Sequence, residues 1–328
     1  MNLGLIGCGQ VASLFHAPAI REVPGIKIGA VADVNREQVE RFRCKNRIEK
    51  RYTDYRSMFA ECDIDSVLIC TPPRTHARII LDSIDRGLHV LCEKPFVSST
   101  SELDRIIESI DKDLVIFPCH NYVFTPSLGL IENLVKTGGF GDLAKIEAHL
   151  AVGFNTWRPR TDYRMQDRAG VIPDLLYHVI YVVNRTCGPL ANISGVKAER
   201  GNNHTATAVG VQGELRDGAL AELSATWKTL LPHFRISLYY SRSSIETDLI
   251  WHPYRIFAKG IHRELLPRIT QGRLDEIRSL SSLTHPSFKL LHENFLHSVT
   301  SKSKPEVTVQ NVDETLRTIQ AVTDMAGI

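Results

Sequence analysis

The sequence predicts an α/β N-terminal domain built on a parallel, doubly wound sheet. It predicts next an α+β C-terminal domain with a large, mostly antiparallel open sheet. Two observations carry this. Short apolar strands alternate with helical patterns from the N-terminus to about residue 117, and repeated strand–helix–strand units require right-handed crossovers and parallel pairing. Beyond about residue 120 the alternation stops and strands follow one another without helices between them, as in an antiparallel or mixed sheet. The expected domains are therefore 1–120 and 121–328.

Residues 2–6 form a short apolar strand, and a helical pattern follows over about 11–22. Residues 27–32 read as a second strand ending at Asp33, with a polar helix over about 36–47. Ser66-Val67-Leu68-Ile69-Cys70 is a continuous apolar run, as expected of a strand buried on both faces. Helix 75–86, strand 89–92, helix 100–111 and strand 114–117 complete the alternation. A helix over about 126–137 stops at Gly138-Gly139, and 143–152 reads as a long strand. After an apolar helix over 171–186, strands are expected at 190–199, 205–215, 218–227, 234–240 and 244–250. Arg216-Asp217-Gly218 supplies a hairpin signal between two of them.

Composition excludes several classes. The 328 residues are 43% hydrophobic and 23% charged, as in ordinary globular domains. Lys+Arg 39 against Asp+Glu 37 gives a net charge of +2, unlike a dedicated nucleic-acid binder. No apolar run approaches the ~18 residues of a membrane span, so no integral membrane segment is expected. Met1 to Gly7 reads as a first strand rather than a signal peptide, and a cytoplasmic location is expected. The seven cysteines include no C-x-x-C pair, which fits reduced thiols without a disulfide frame and with no metal.

Gly7-Cys8-Gly9-Gln10-Val11-Ala12 follows the first strand and opens a helix. This is the G-x-G-x-x-A form of the dinucleotide fingerprint of Rossmann domains. Gly7 permits the tight turn, Gly9 lets backbone approach a pyrophosphate, and Ala12 lets the helix pack on the sheet. Free N–H groups around Gln10 and Val11 then face the phosphates with the positive end of the helix dipole. Asp33 stands 21 residues beyond Ala12, at the end of the second strand, placed to accept from a ribose diol. Its carboxylate would repel a 2′-phosphate, favouring NAD over NADP, although Arg36 could offset part of that repulsion. A helix N-cap is the alternative role for Asp33.

Three further segments carry chemistry. Thr71-Pro72-Pro73-Arg74-Thr75-His76 and Glu93-Lys94-Pro95 both follow strands of the parallel sheet, at the edge where such sheets bind ligands. Gly170-Val171-Ile172-Pro173-Asp174-Leu175-Leu176-Tyr177-His178 opens the helix after a polar loop. Asp174 and His178 are four residues apart, hence on one helix face and roughly 6 Å apart along the axis. A lysine, an imidazole and a carboxylate meeting beside a nicotinamide suit alcohol–carbonyl interconversion. His178 is the natural base, Lys94 stabilises a developing alkoxide, and Asp174 orients substrate or balances charge.

Together with the glycine loop and Gly138-Gly139-Phe140-Gly141-Asp142-Leu143, these motifs resemble the Gfo/Idh/MocA family of oxidoreductases along most of the chain. The resemblance implies Lys94 and His178 as the catalytic pair, with Asp174 beside them. It implies an NAD(P)-dependent dehydrogenase or reductase acting on a secondary hydroxyl or ketone of a sugar, cyclitol or sugar derivative. Alternatives are an NAD-dependent glycosidase using transient oxidation, and a non-catalytic nucleotide-binding regulator. Cofactor contacts are expected from Gly7, Gly9, Gln10, Val11, Ala12, Asp33, Thr71, Pro72, His76, Glu93 and Lys94. Substrate contacts are expected from Lys94, Asn121, Trp157, Arg158, Asp174 and His178, with His120 a further candidate for lining the cleft. Family members commonly pair through the second-domain sheet, so a homo-oligomer, dimer or tetramer, is implied.

The chain departs from the family pattern in having Gly170-Val171 for a Gly-Gly pair and Tyr181 where an Asp often stands. Substrate specificity therefore does not carry over. Residues 251–290 also fit the resemblance poorly. They read as a helical, amphipathic and basic insertion, with seven Lys and Arg against three Asp and Glu. Packing on the sheet or at a subunit interface is the expected role, and a membrane-surface contact or a lid for an anionic substrate the alternative.

Overall fold

The computed structural model describes residues 1–137, 140–154, 163–201, 203–260 and 285–328. The chain forms two compact units. The first comprises Met1–Asn121 with Ser287–Asp313, and the second Tyr122–Pro286 with Glu314–Ile328. The expected division at 120 did not include the return of 287–313 to the first unit. That return rests on apolar helix faces such as Phe295, which meets Phe117 edge-on at 5.8 Å.

In the first unit, β1 (Asn2–Ile6), β2 (Lys27–Ala32), β3 (Lys50–Tyr52), β4 (Ser66–Ile69), β5 (His89–Cys92) and β6 (Ile116–Pro118) form one sheet. Its order is β3-β2-β1-β4-β5-β6 and every pair is parallel. The order reverses at β1, which makes the crevice beyond β1 and β4 a topological switch point, where doubly wound sheets take ligands. All four residues of β4 are buried, as its unbroken apolar run requires. Strand β3 has no counterpart in the sequence reading, because Lys50-Arg51-Tyr52 carries no apolar pattern. The helices are α1 (Ala17–Arg21), α2 (Arg36–Asn46), α3 (Tyr55–Glu61), α4 (His76–Ile84) and α5 (Thr100–Ser109). The segment before α1 is a π-helical turn, Ala12–His16.

In the second unit, α6 (Pro126–Thr137) leads to β7 (Leu143–Ala151), and a π-helical turn at Ile172–Leu176 runs into α7 (Tyr177–Cys187). Then follow β8 (Leu190–Arg200), β9 (Ala206–Leu215), β10 (Leu220–Thr226), β11 (His233–Tyr240), β12 (Ser244–Asp248) and β13 (Phe257–Lys259). The seven-stranded order is β13-β12-β11-β7-β10-β9-β8, antiparallel except for the β7–β10 pair. The β9–β10 hairpin turns on Gly218 at φ +87°, the left-handed conformation its Asp-Gly signal foretold. Strict alternation along β7 buries Ile146, Ala148 and Leu150 and leaves Lys145, Glu147 and His149 half-buried on the other face. The apolar face is covered by α7, whose Val179, Ile180, Val182 and Val183 are buried.

Two further helices, α8 (Pro286–Ser301) and α9 (Gln310–Met325), end the chain. The helical expectation for 251–290 is corrected where it can be compared: 251–260 holds turns and the strand β13, and α8 begins at Pro286. Phe257 and Lys259 on this short strand are exposed, so the segment's amphipathic character belongs to an edge strand as well as to a helix. Residues 261–284 lie outside the described residues. Among the described residues no helix is long and apolar enough to cross a membrane.

Candidate active site

The glycine loop closes the gap between β1 and the following helical turn. Gly7 has φ +93°, and a Cβ there would stand 2.7 Å from the Cys70 carbonyl, so the loop needs glycine for conformation and for space. Gly9 differs: a Cβ there would meet nothing within 4 Å. Glycine at 9 therefore leaves room for a molecule that is not part of the chain, which fits a pyrophosphate. Ala12 is fully buried, as a small residue packing a helix on a sheet should be, and Gln10 is exposed while Val11 is partly so.

Asp33 ends β2 beside this loop. Its Oδ2 accepts from the Cys8 backbone N–H at 2.7 Å and from Gln38 Nε2 at 2.8 Å, and its Oδ1 accepts from the Asn35 N–H at 2.8 Å. The N-cap of α2 is Asn35, which accepts from Glu37 and Gln38 N–H groups at 3.0 Å. Asp33 thus serves the glycine loop rather than capping the helix. Burial pushes the Cys8 thiol far above its usual pKa, with the Asp33 charge adding to the effect, so this thiol is protonated.

The loops after β4 and β5 are tied by one residue. His76 is fully buried, with Nε2 2.8 Å from the Thr71 carbonyl and Nδ1 2.9 Å from the Pro95 carbonyl. Burial lowers its pKa against the upward pull of both carbonyls. Its ring faces Thr71 and Pro95 and so ties the two motif loops together. Thr75 Oγ1 adds a bond of 2.8 Å to the Pro72 carbonyl.

Lys94 is half-buried at the C-terminal end of β5, preceding a cis peptide to Pro95. Its backbone N–H donates to Glu93 Oε2 at 3.1 Å. Glu93 Oε1 accepts from His16 Nε2 at 2.8 Å, and His16 Nδ1 lies 3.0 Å from His292 Nε2. Burial pushes the Glu93 carboxyl up, but the His16 hydrogen bond and the charges of His16 and Lys94 outweigh it and hold it below the usual carboxylate range. His120 is also buried; burial and the Lys94 ammonium hold its imidazole neutral, far below the usual pKa. Asn121 is buried, its Nδ2 donating to Ser287 Oγ at 3.2 Å. Among the described residues, donor atoms of His16, Glu93 and Cys119 fall within 4.8 Å of one another. A cation there would have to break the His16–Glu93 bond and deprotonate a thiol that burial and Glu93 hold well above its usual pKa.

In the second unit the π-helical turn presents Asp174, and α7 begins with Tyr177 and His178. Asp174 is buried; Oδ1 accepts from Arg164 Nε at 3.0 Å and Oδ2 from Trp227 Nε1 at 3.0 Å. The Arg164 guanidinium thus balances the charge of this buried carboxylate. The His178 ring is 7% exposed and meets the Tyr122 ring edge-on at 5.0 Å. Sequence reasoning missed Arg164, Trp227, His16 and His292. Arg164 lay in a segment noted only for its arginines, and Trp227 closes a strand. Trp157 and Arg158 lie outside the described residues.

Fold and glycine loop together define an NAD(P)-binding Rossmann protein with a second, sheet-based domain. Residues 1–119 match the model of the oxidoreductase family with an NAD-binding Rossmann fold, GFO/IDH/MocA, and residues 130–246 match the family's C-terminal domain. The chain belongs to the Gfo/Idh/MocA family. Among curated relatives, a myo-inositol 2-dehydrogenase of Thermotoga maritima is 28% identical over 43% of this chain and 42% of its own. A dTDP-3,4-didehydro-2,6-dideoxy-alpha-D-glucose 3-reductase of Saccharopolyspora spinosa is 25% identical over 83% of this chain and 84% of its own. The chain spans about half the length of several other curated relatives it matches. The structure of a levoglucosan dehydrogenase in complex with NADH and levoglucosan superposes with a TM-score of 0.86 at 18% identity, covering 100% of this chain and 97% of that one.

Proposed function

We propose that the protein is an NAD-dependent dehydrogenase acting on a secondary hydroxyl, or in reverse a ketone, of a sugar, cyclitol or sugar derivative. The observation that carries the proposal is Lys94. It stands at the C-terminal end of β5, in the sheet whose first strand bears the glycine loop, and next to a half-buried Glu93 whose carboxyl is held below its usual range. Relatives named for inositol and a deoxysugar support the substrate class. Asp33, with its carboxylate held beside the loop, supports NAD over NADP.

When bound, the nicotinamide accepts or returns the hydride. The chain's own residues handle the proton and the charge. His178 takes the proton of the substrate hydroxyl, since an imidazole is poised for transfer near neutral pH. The Lys94 ammonium stabilises the alkoxide that develops on that oxygen. Asp174, paired with Arg164, balances charge in the second unit and keeps the turn before His178 in place. We further propose homo-oligomer formation through the seven-stranded sheet, whose open face carries the Lys145, Glu147 and Glu222 ion pairs.

The test is a panel of cyclitols, anhydrosugars, polyols and ketoses monitored at the NADH absorbance band. Lys94→Ala should lower turnover on the responding substrate by about 10² while changing NAD affinity only a few-fold. Turnover near that of the native protein in this variant would refute the assignment.

A further inference from the structure

We infer that Tyr122 is a positioning residue for His178: its ring, seated against two others, fixes the plane in which the imidazole is presented to substrate. The inference rests on the role of base proposed for His178. Tyr122 lies one residue beyond Asn121, an expected substrate contact, and belongs to none of the motifs that the sequence brings forward. All the groups that hold it belong to the second unit.

A side chain can orient another only if it is itself held. Tyr122 lies in a short 3-10 turn, Asn121–Phe124, and its carbonyl accepts from the Thr125 N–H at 3.0 Å. Its ring meets the Phe234 ring edge-on at 5.0 Å, with the planes at 90°, and the His285 ring at 6.0 Å and 74°. These two rings share one backbone frame. The Leu249 N–H donates to the Phe234 carbonyl at 2.8 Å, and the Leu249 carbonyl accepts from His285 Nε2 at 2.7 Å. A carbonyl only accepts, so His285 Nε2 carries a hydrogen, and the ring cannot turn over without losing that bond. Phe234 is fully buried on β11, and its N–H donates to Asp248 Oδ1 at 3.2 Å. Tyr122 is thus walled on two sides by rings that the backbone pins.

The third ring against Tyr122 is His178, edge-on at 5.0 Å with the planes at 84°. His178 is the second residue of α7, so the helix backbone places its Cβ. Two side-chain torsions then decide where the ring nitrogens point, and the second of them is soft. An edge set against a ring face resists turning, because the positive edge and the negative face attract only while the planes stay crossed. Tyr122 therefore removes a freedom that the helix leaves open. That freedom matters to a base, which must come within about 2.6–3.2 Å of the hydroxyl it deprotonates. An error of about 1 Å in such a group can cost ~10² in rate. A contact that merely fills space would act on the fold whatever stands at 178. A positioning contact acts through the imidazole, and the two are separable.

The experiment is a double-mutant cycle on the full-length protein, with the substrate that responds in the panel. Tyr122→Leu keeps apolar bulk and removes the ring. It should lower kcat about tenfold or more while KM for NAD changes by about threefold at most. Tyr122→Phe, which keeps the ring, should restore most of that loss. In a His178→Ala background Tyr122→Leu should cost nothing further, because the group it orients is gone. Tyr122→Met, equally without a ring face, replaces the leucine variant should that one fail to fold. A second readout needs no substrate. In protein carrying ring-labelled histidine, the NMR signal that disappears in His178→Ala belongs to His178. That signal should move in Tyr122→Leu and stay near its native position in Tyr122→Phe. Native kcat in folded Tyr122→Leu or Tyr122→Met, an equal fractional loss in the His178→Ala background, or an unmoved His178 signal overturns the inference. Failure of the underlying reading is separate, and shows as turnover retained in His178→Ala.

Discussion

Trp227 Nε1 donates to Asp174 Oδ2 at 3.0 Å, and both residues are buried. The bond joins the end of one sheet strand to the π-helical turn that precedes His178. It also supplies a second donor to a carboxylate already paired with Arg164. Trp227→Phe keeps an aromatic ring against Phe154, 4.7 Å away between centroids, and deletes the N–H. Weakening the solvation of a buried carboxylate in this way should cost about 1–3 kcal/mol. Urea unfolding should show that loss, and turnover should fall severalfold as Asp174 loosens. Native stability in the variant would mean that the Arg164 pair alone fixes the turn.

The two loop glycines should separate folding from cofactor binding. At Gly7 a methyl group would both strain φ +93° and press on the Cys70 carbonyl at 2.7 Å. Gly7→Ala should therefore lose about 1–3 kcal/mol of stability. At Gly9 the same methyl meets no protein atom within 4 Å, so Gly9→Ala should unfold at the native temperature. It should nonetheless weaken NADH binding tenfold or more, because the space it fills is the space the phosphates need. Fluorescence titration with NADH checks the second half and thermal unfolding the first.

Much of this was legible in the sequence because the physics is local. The glycine loop, Asp33 at a strand end and Lys94 after an apolar strand sit where strand–helix alternation puts them. The Asp-Gly hairpin declared itself for the same reason. What stayed hidden was non-local. His16 reads as one more helical residue until His292, 276 positions away in the chain, is seen beside it. Trp227 reads as a strand end until the fold brings it to Asp174. Strand β3 escaped because its pairing with β2, rather than its own composition, makes it a strand.

Cofactor choice should turn on Asp33. Asp33→Asn keeps one acceptor oxygen, for either the Cys8 or the Asn35 N–H, and removes the charge that repels a 2′-phosphate, leaving Arg36 nearby to attract it. The ratio of kcat/KM for NAD over NADP should fall by tenfold or more, a change of about 1.4 kcal/mol in discrimination. The comparison is made with both cofactors on one substrate. An unchanged ratio would remove Asp33 as the selector.

Stability should depend on pH through the buried imidazoles of the first unit. Burial, with help from Lys94 at His120 and from His16 at His292, holds both rings far below their usual pKa. A histidine with a lowered folded pKa stays neutral in the fold but takes up a proton in the unfolded chain below about pH 6.5. The unfolded state then binds more protons, so stability falls as pH drops through that range, by up to about 1.4 kcal/mol per pH unit for each ring. Glu93 acts in another window. Its lowered pKa gives a contribution that is complete above the unfolded carboxylate value and lost only as pH falls through the lower, folded one. Urea unfolding at pH 7.5 and 5.5 therefore isolates the histidines. The native protein should be measurably weaker at pH 5.5, and His292→Gln, with one ring fewer, should show a shallower decline. Equal stability at both pH values would mean that these rings accept protons without leaving the fold.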